Sequence, residues 1–229
     1  MKFTSTLIKG KLIKRYKRFF TDIKVNSQTV TAHCANTGSM LGLLDQGNDV
    51  WLTKNDNPNR KLKYTLEIIK VNKSLIGVNT HRANRIVEHG LNNNLINDFK
   101  NIKNIKPEFK YSDDTRFDFL CDKKIIEVKN VTLTREPNIA EFPDAITSRG
   151  SKHLIKLIDS LKNGYKPFVL FLTQIQGINN FRIAKDIDKE YYKNYLLAKK
   201  AGVKFLAYRC SLSSKEIKIE KKIKIIDER

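Results

Sequence analysis

The sequence predicts two domains of different class: an all-β barrel over residues 1–80, followed by an α/β domain with a mixed sheet and flanking helices over residues 81–229. Three observations lead there. Up to about residue 80, short strand-like runs are broken by turn-forming residues. Near His81 the apolar spacing becomes helical, and beyond it strand-like and helical runs alternate. Hydrophobic residues make up 40% of the chain, with twelve Phe and eight Tyr, enough apolar surface to build a buried core.

In the first domain the strand candidates are residues 6–11, 20–25, 29–34, 49–54 and 64–71. Between them, Asn26-Ser27, Thr37-Gly38-Ser39, Gln46-Gly47-Asn48 and Asn57-Pro58-Asn59 hold residues that tolerate tight or left-handed backbone. Five short strands at this spacing fit a small barrel of the OB type. The junction places Ala83, Ile86, Val87 and Leu91 at helical spacing.

In the second domain strands are expected over residues 109–111, 115–121, 125–133, 168–173 and 203–210. Helices are expected over 148–162, where Leu154, Ile155, Leu157, Ile158 and Leu161 form an apolar stripe, and over 189–200, with Tyr191, Tyr192, Tyr195 and Leu196. Gly164 and Gly202 stop them. Residues 216–229 alternate Ile with Lys or Glu and read as an edge strand or a mobile basic tail.

A net charge of +20 and a pI near 9.8 favour a polyanionic partner, nucleic acid first among them, DNA ahead of RNA. Richness in Lys, Asn and Ile is also what an AT-rich genome writes into a protein, so charge alone does not settle the partner. Lysines interrupt the first residues too early for a signal peptide, and no run reaches membrane-spanning length, so a cytoplasmic protein without a membrane partner is expected. Cys34, Cys121 and Cys210 are far apart and lack zinc-site spacing, which reads as three reduced thiols. The sequence leaves the oligomeric state open.

Several residues are candidates for touching nucleic acid. Lys14, Arg15, Tyr16, Lys17 and Arg18 interleave cations with an aromatic ring, the combination that tracks phosphates and stacks on bases. His33, Asn36 and Ser39 surround Gly38 in a loop that suits phosphate binding through backbone N–H groups. Arg60 and Arg116 add charge, Arg149, Lys152 and His153 open a helix, and Gln174 closes a strand.

The segment with the most chemistry is Thr115-Arg-Phe-Asp-Phe-Leu-Cys-Asp-Lys-Lys-Ile-Ile-Glu-Val-Lys-Asn-Val-Thr-Leu133. A two-residue turn at Asp122-Lys123 sets Asp118 opposite Glu127 and Arg116 opposite Lys129, all on one face because strand side chains alternate. Like charges so placed repel, which calls for a cation. A hard divalent ion, Mg²⁺ or Mn²⁺, takes one or two carboxylates plus waters and phosphate oxygens. Lys129 is then placed to serve the attacking water or the phosphate.

An Asp followed by Glu-x-Lys on the next strand resembles the core of the PD-(D/E)XK nuclease superfamily. A wider set of motifs resembles the sugar fermentation stimulation protein A family: Thr31-Ala-His-Cys-Ala-Asn-Thr-Gly-Ser-Met40, Asn57-Pro-Asn-Arg-Lys61, Gly77-Val-Asn-Thr80 with Ala83-Asn84, Ile126-Glu-Val-Lys-Asn-Val-Thr-Leu133, Phe142-Pro-Asp-Ala145 and Arg149-Gly-Ser-Lys-His-Leu154. Ala35 departs from the Pro that family places before Asn36.

The resemblance implies an N-terminal OB domain, a nuclease-like C-terminal domain, DNA binding and a regulatory link to sugar metabolism. It also implies Glu88, on the first core helix, as a further metal ligand. Two functions are therefore expected in competition: a metal-dependent phosphodiesterase acting on DNA or RNA, with Asp118, Glu127 and Lys129 catalytic, or a nonspecific DNA-binding regulator linked to maltose-type sugar metabolism without turnover.

Overall fold

The structure, a computed structural model, describes residues 1–226; the end of the expected C-terminal strand or tail, residues 227–229, lies outside them. Strands β1 (Ile8–Tyr16), β2 (Phe20–Val25), β3 (Gln28–His33), β4 (Asp49–Lys54) and β5 (Tyr64–Val71) form the first domain. β1 runs antiparallel to β2 and β4, β2 to β3, and β4 to β5. Parallel pairing of Ala32 with Tyr64 and His33 with Thr65 closes the ring into an OB barrel. Alternating residues Leu12, Ile23, Ala32, Val50, Leu52 and Leu66 fill it.

β1 is longer than expected because a bulge between Leu12 and Lys14 lets pairing continue to Tyr16 opposite Phe20. Lys17 and Arg18 then adopt left-handed backbone in the tight turn.

A strand absent from the sequence reading, β6 (Ser74–Gly77), hairpins back on β5 and joins the two domains. Ile76 bridges to Ile175, Gly77 N–H donates to the Gln174 carbonyl at 2.8 Å, and Gln176 N–H donates to the Leu75 carbonyl at 2.9 Å. Met40 and Val78 of the first domain share one apolar cluster with Val131, Ala140 and Phe171 of the second.

The second domain begins with α1 (Ala83–Asn92) and continues through β7 (Ile105–Ser112), β8 (Thr115–Cys121), β9 (Lys124–Val131), β10 (Leu133–Glu136), β11 (Ile139–Phe142) and α2 (Ser148–Lys162). It ends with β12 (Lys166–Thr173), β13 (Asn180–Ile183), α3 (Lys189–Ala201), β14 (Lys204–Leu212), β15 (Ile217–Lys222) and β16 (Lys224–Ile225). The main sheet has the order β15-β14-β12-β9-β8-β7, with β9, β12 and β14 parallel and the outer strands antiparallel. It is mixed, as expected.

Its two faces bury different residues, because β12 is apolar throughout. Phe168, Leu170 and Leu172 pack with Ile86 and Val87 of α1, while Val169 and Phe171 pack with Leu154 and Leu157 of α2 and Tyr191 and Tyr195 of α3. Thr147 caps α2 by accepting from Gly150 N–H at 3.1 Å, and Asp188 caps α3 by accepting from Tyr191 N–H at 2.9 Å. A small second sheet, β10-β11-β13-β16, lies beside the main one. Residues 217–222 resolve the C-terminal alternative in favour of an edge strand, β15.

Candidate active site

The β8–β9 hairpin turns at Asp122, whose left-handed backbone suits the second-to-last position before the return strand, and it pairs Cys121 with Lys124, Leu120 with Ile125 and Phe119 with Ile126. This is the expected register, but the ladder stops one pair short of Asp118 and Glu127. The freed Val128 N–H still needs an acceptor. Asp118 Oδ2 supplies it at 2.6 Å, while Oδ1 accepts from Asn84 Nδ2 of α1 at 2.7 Å.

Glu127 is 4% exposed. Its Oε1 accepts from Lys129 Nζ at 2.6 Å and lies 2.5 Å from His153 Nδ1 on α2. Arg149 Nε donates to His153 Nε2 at 3.5 Å, which makes Nδ1 the protonated nitrogen facing Glu127. Oε2 of Glu127 is buried with no hydrogen-bond partner among the described residues. The hydroxyls of Ser151 on α2 and Tyr191 on α3 are buried in the same condition.

The two carboxylates titrate in opposite directions. Burial pushes the Asp118 carboxyl up to about 6, with the Glu127 charge adding to it and the Val128 and Asn84 hydrogen bonds opposing. Burial also disfavours ionised Glu127, but Lys129 and His153 outweigh it and hold that carboxyl below its ordinary value. At neutral pH Glu127 is the permanent anion, and Asp118 is the group whose charge is costly.

Of the residues expected in the site, the structure brings together Asp118, Glu127 and Lys129 and adds His153 as a ligand of Glu127. Asn84, one turn before Glu88 on α1, reaches Asp118, Glu88 itself makes no described contact with the pair, and among the described residues no three His, Cys, Asp or Glu side chains converge as a metal-binding group. Arg116 does not face Lys129. It is exposed, 3.9 Å from Glu108, and lines a cleft of about 620 Å³ with Arg149, Lys152 and His153 and with Lys110 and Lys156, which pair there with Asp113 at 2.8 Å and Asp114 at 3.1 Å. His153 therefore joins this basic cleft to the carboxylates.

The first-domain candidates divide. Arg15 donates to the carbonyls of Arg18 at 3.0 Å, Asn36 at 2.8 Å and Gly38 at 3.1 Å, so its guanidinium is consumed in shaping the loop. In that loop Asn36 is buried and its Oδ1 accepts from Gly38 N–H, while Ser39 Oγ donates to the Asp144 carbonyl at 2.7 Å. The 36–39 loop thus fastens the barrel to the second domain, and its Asn36, Thr37 and Gly38 line a cavity of about 330 Å³ with Arg18. Lys14, Tyr16, Lys17 and Arg18 remain at the surface, with Tyr16 stacked on Phe20 at 5.5 Å and Lys14 Nζ over its ring. Gln174, expected to touch substrate, is fully buried; its Nε2 donates to Asn130 at 2.5 Å. His33 and Arg60 line a separate polar cavity on the barrel.

Sequence reasoning missed Asn84 and the tie between His153 and Glu127. Both contacts cross between elements far apart in the chain, 34 and 26 residues respectively, so no local pattern announces them.

Comparison with known proteins agrees with the fold. Residues 13–78 match the family model "SfsA N-terminal OB domain" and residues 81–216 match "Sugar fermentation stimulation protein RE domain". A sugar fermentation stimulation protein homolog from Pelagibacter ubique is 66% identical over 99% of this chain and 100% of its own length, and one from Maricaulis maris is 41% identical over 98% of each. The structure of Pyrococcus furiosus SfsA in complex with Ca²⁺ superposes with a TM-score of 0.88 at 21% identity, covering 99% of this chain and 98% of that one, a likeness of fold. The chain belongs to the sugar fermentation stimulation protein (SfsA) family.

Proposed function

We propose that this protein binds nucleic acid and hydrolyses its phosphodiester bonds at a divalent-metal site formed by Asp118 and Glu127, with Lys129 serving the water. The observation that carries this is the buried Glu127 Oε2, without a partner beside a second carboxylate whose pKa is pushed up to about 6. An orphaned anionic oxygen next to a like charge costs several kcal/mol when nothing fills the gap, on the order of 1–3 for the lost hydrogen bond alone. A hard cation satisfies both groups at once, and two carboxylates leave the remaining positions to water and phosphate oxygens. The donor set therefore fits Mg²⁺ or Mn²⁺. The Pyrococcus furiosus relative was solved with Ca²⁺, an ion of the same oxygen-seeking class.

The ion, when bound, supplies the charge that lowers the pKa of a water and neutralises the phosphate. The protein's own residues do the rest. His153 Nδ1–H and Lys129 Nζ hold Oε1, which fixes the carboxylate plane and aims Oε2 away from both. Asn84 and Val128 N–H hold Asp118, one donor on each oxygen. Lys129, whose Nζ lies 2.6 Å from Glu127 Oε1, would orient the attacking water and meet the negative charge that develops on the phosphate oxygens. Arg116, Arg149 and Lys152 in the adjoining cleft give the strand's phosphates a place to lie.

The test is incubation of purified protein with single- and double-stranded DNA and RNA in Mn²⁺. Cleavage by the wild type and its loss in Asp118→Ala is the expected result; equal cleavage by both overturns the reading. The basic cleft also favours a second reading, DNA binding without turnover in a regulatory role. That reading expects binding that weakens steeply with salt and no cleavage under any metal.

A further inference from the structure

A second polar cavity, about 420 Å³, opens on the barrel where β3, β4 and β5 meet the segment leading into α1. His33, Lys54, Arg60, His81, Arg82 and Arg85 all line it, and Glu67 is the one carboxylate lining it among the described residues. Glu67 cannot balance this charge, because it is already fully engaged. Its Oε1 accepts from Thr53 Oγ1 at 2.8 Å and Arg82 Nη2 at 2.7 Å, and its Oε2 from Asn79 Nδ2 at 3.0 Å and Arg82 Nε at 3.1 Å. Arg82 and Glu67 thus neutralise one another as a two-pronged pair.

The remaining cations are not balanced. Lys54 has an exposed partner outside the cavity, Asp56, at 3.3 Å. Arg60 makes one side-chain hydrogen bond, from Nη2 to Thr65 Oγ1 at 2.8 Å. Arg85 has no ion-pair partner among the described residues, and none of its guanidinium hydrogens is taken. The rings of His33 and His81 stand 6.4 Å apart at the same opening. Burial first, and then the neighbouring Arg60 and His81, hold His33 below its ordinary value.

We propose that this cavity is an anion site for a phosphate monoester, separate from the carboxylate pair at β8–β9 and independent of whether that pair is catalytic. The charge decides the class. The guanidinium of Arg85, the remaining donors of Arg60 and the two imidazole rings at one opening suit a dianion better than the single charge of an internal phosphodiester. Planar guanidinium forks match the oxygens of a phosphate, and a compact tetrahedral group fits the volume. A phosphorylated strand end and a small phosphorylated metabolite both carry this group.

Calorimetric titration of the full-length protein with inorganic phosphate tests the site directly. Binding to the wild type, and weakening of at least about tenfold in an Arg60→Ala, Arg85→Ala double variant, is the expected result. Arg85 is exposed and Arg60 half-buried, and an unchanged melting temperature confirms that the variant is folded. Asp118→Ala, which disables the proposed metal site, keeps wild-type phosphate binding. No binding to the wild type, or equal binding to the double variant, overturns the proposal. The source is read by two further ligands. A 5′-phosphorylated oligonucleotide that binds more tightly than its 5′-hydroxyl twin, with the gap lost in the double variant, identifies a strand end. Ribose 5-phosphate binding with no such gap identifies a small metabolite.

Discussion

Glu67 and Glu127 are buried almost equally, at 1% and 4% exposure, one in the barrel and one in the α/β sheet. Glu67 has both oxygens filled by four donors, two of them from one arginine. Glu127 has two donors crowded on one oxygen and none on the other. Glu141, also buried, behaves like Glu67, with Arg135 donating to both of its oxygens and Arg182 to Oε1. A buried carboxylate that the fold satisfies completely is a structural strut. One left half satisfied beside a second acid is the group that the proposed metal would engage.

Catalysis separates the two glutamates most widely. Glu127→Gln keeps the shape but removes the charge, and a loss of cleavage of at least about a hundredfold in Mn²⁺ is expected. Glu67→Gln leaves cleavage within a few-fold.

Stability reverses the order. Glu67→Ala strands the Arg82 guanidinium and costs about 3–5 kcal/mol in denaturant unfolding, because one member of a buried pair is left alone. If Glu127→Gln proved as destabilising as Glu67→Ala, the distinction between strut and binding group would collapse.

A pH titration sharpens the same point. Asp118 binds its proton more tightly in the folded chain, since its pKa rises from 3.8 to about 6. Its contribution to stability is therefore full below about pH 4 and is lost as the pH rises through about 6. In chelator, wild type should lose about 1–3 kcal/mol relative to Asp118→Asn between pH 4 and pH 8. Adding Mn²⁺ at pH 8 should restore wild type and leave the Asn variant unmoved. A pH-independent gap between the two proteins would show that Asp118 is not strained by its neighbour.

The smallest effect tests the seam between the domains. A Cβ on Gly77 would strike Gln174 Oε1, the far end of a fully buried side chain that must shift and give up its hydrogen bond to Asn130. Gly77→Ala is expected to cost about 1–3 kcal/mol and to lower one cooperative melting transition, not to split it in two.

Much of this was legible in the chain. β2, β4, β5, β8 and α2 run over the residues expected from alternation and apolar stripes, because each buries one face against a core that its own periodicity describes. The hairpin register followed from the two-residue turn at Asp122-Lys123. What escaped were short elements whose reason for existing lies elsewhere. β6 is four residues held by the distant segment around Ile175, and β10, β11, β13 and β16 form a sheet only by meeting one another. The site was half legible for the same reason. Asp118, Glu127 and Lys129 sit on adjacent strands, but the break in the ladder that turns Asp118 toward Val128 and Asn84 depends on how α1 packs. Arg15 and Gln174 read as surface groups from their chemistry, and tertiary contacts absorbed both.

The bridge between Ile76 and Ile175 has a consequence for scale. With its flanking hydrogen bonds it ties the barrel to the segment that follows β12, so the arginine-lined cavity and the paired carboxylates sit on domains joined through their backbones. A molecule built this way is a calliper. A strand that anchored its phosphorylated end in one jaw would meet the other at a set number of nucleotides, and a ladder of oligonucleotide lengths offered to the protein would read that span as a single preferred size.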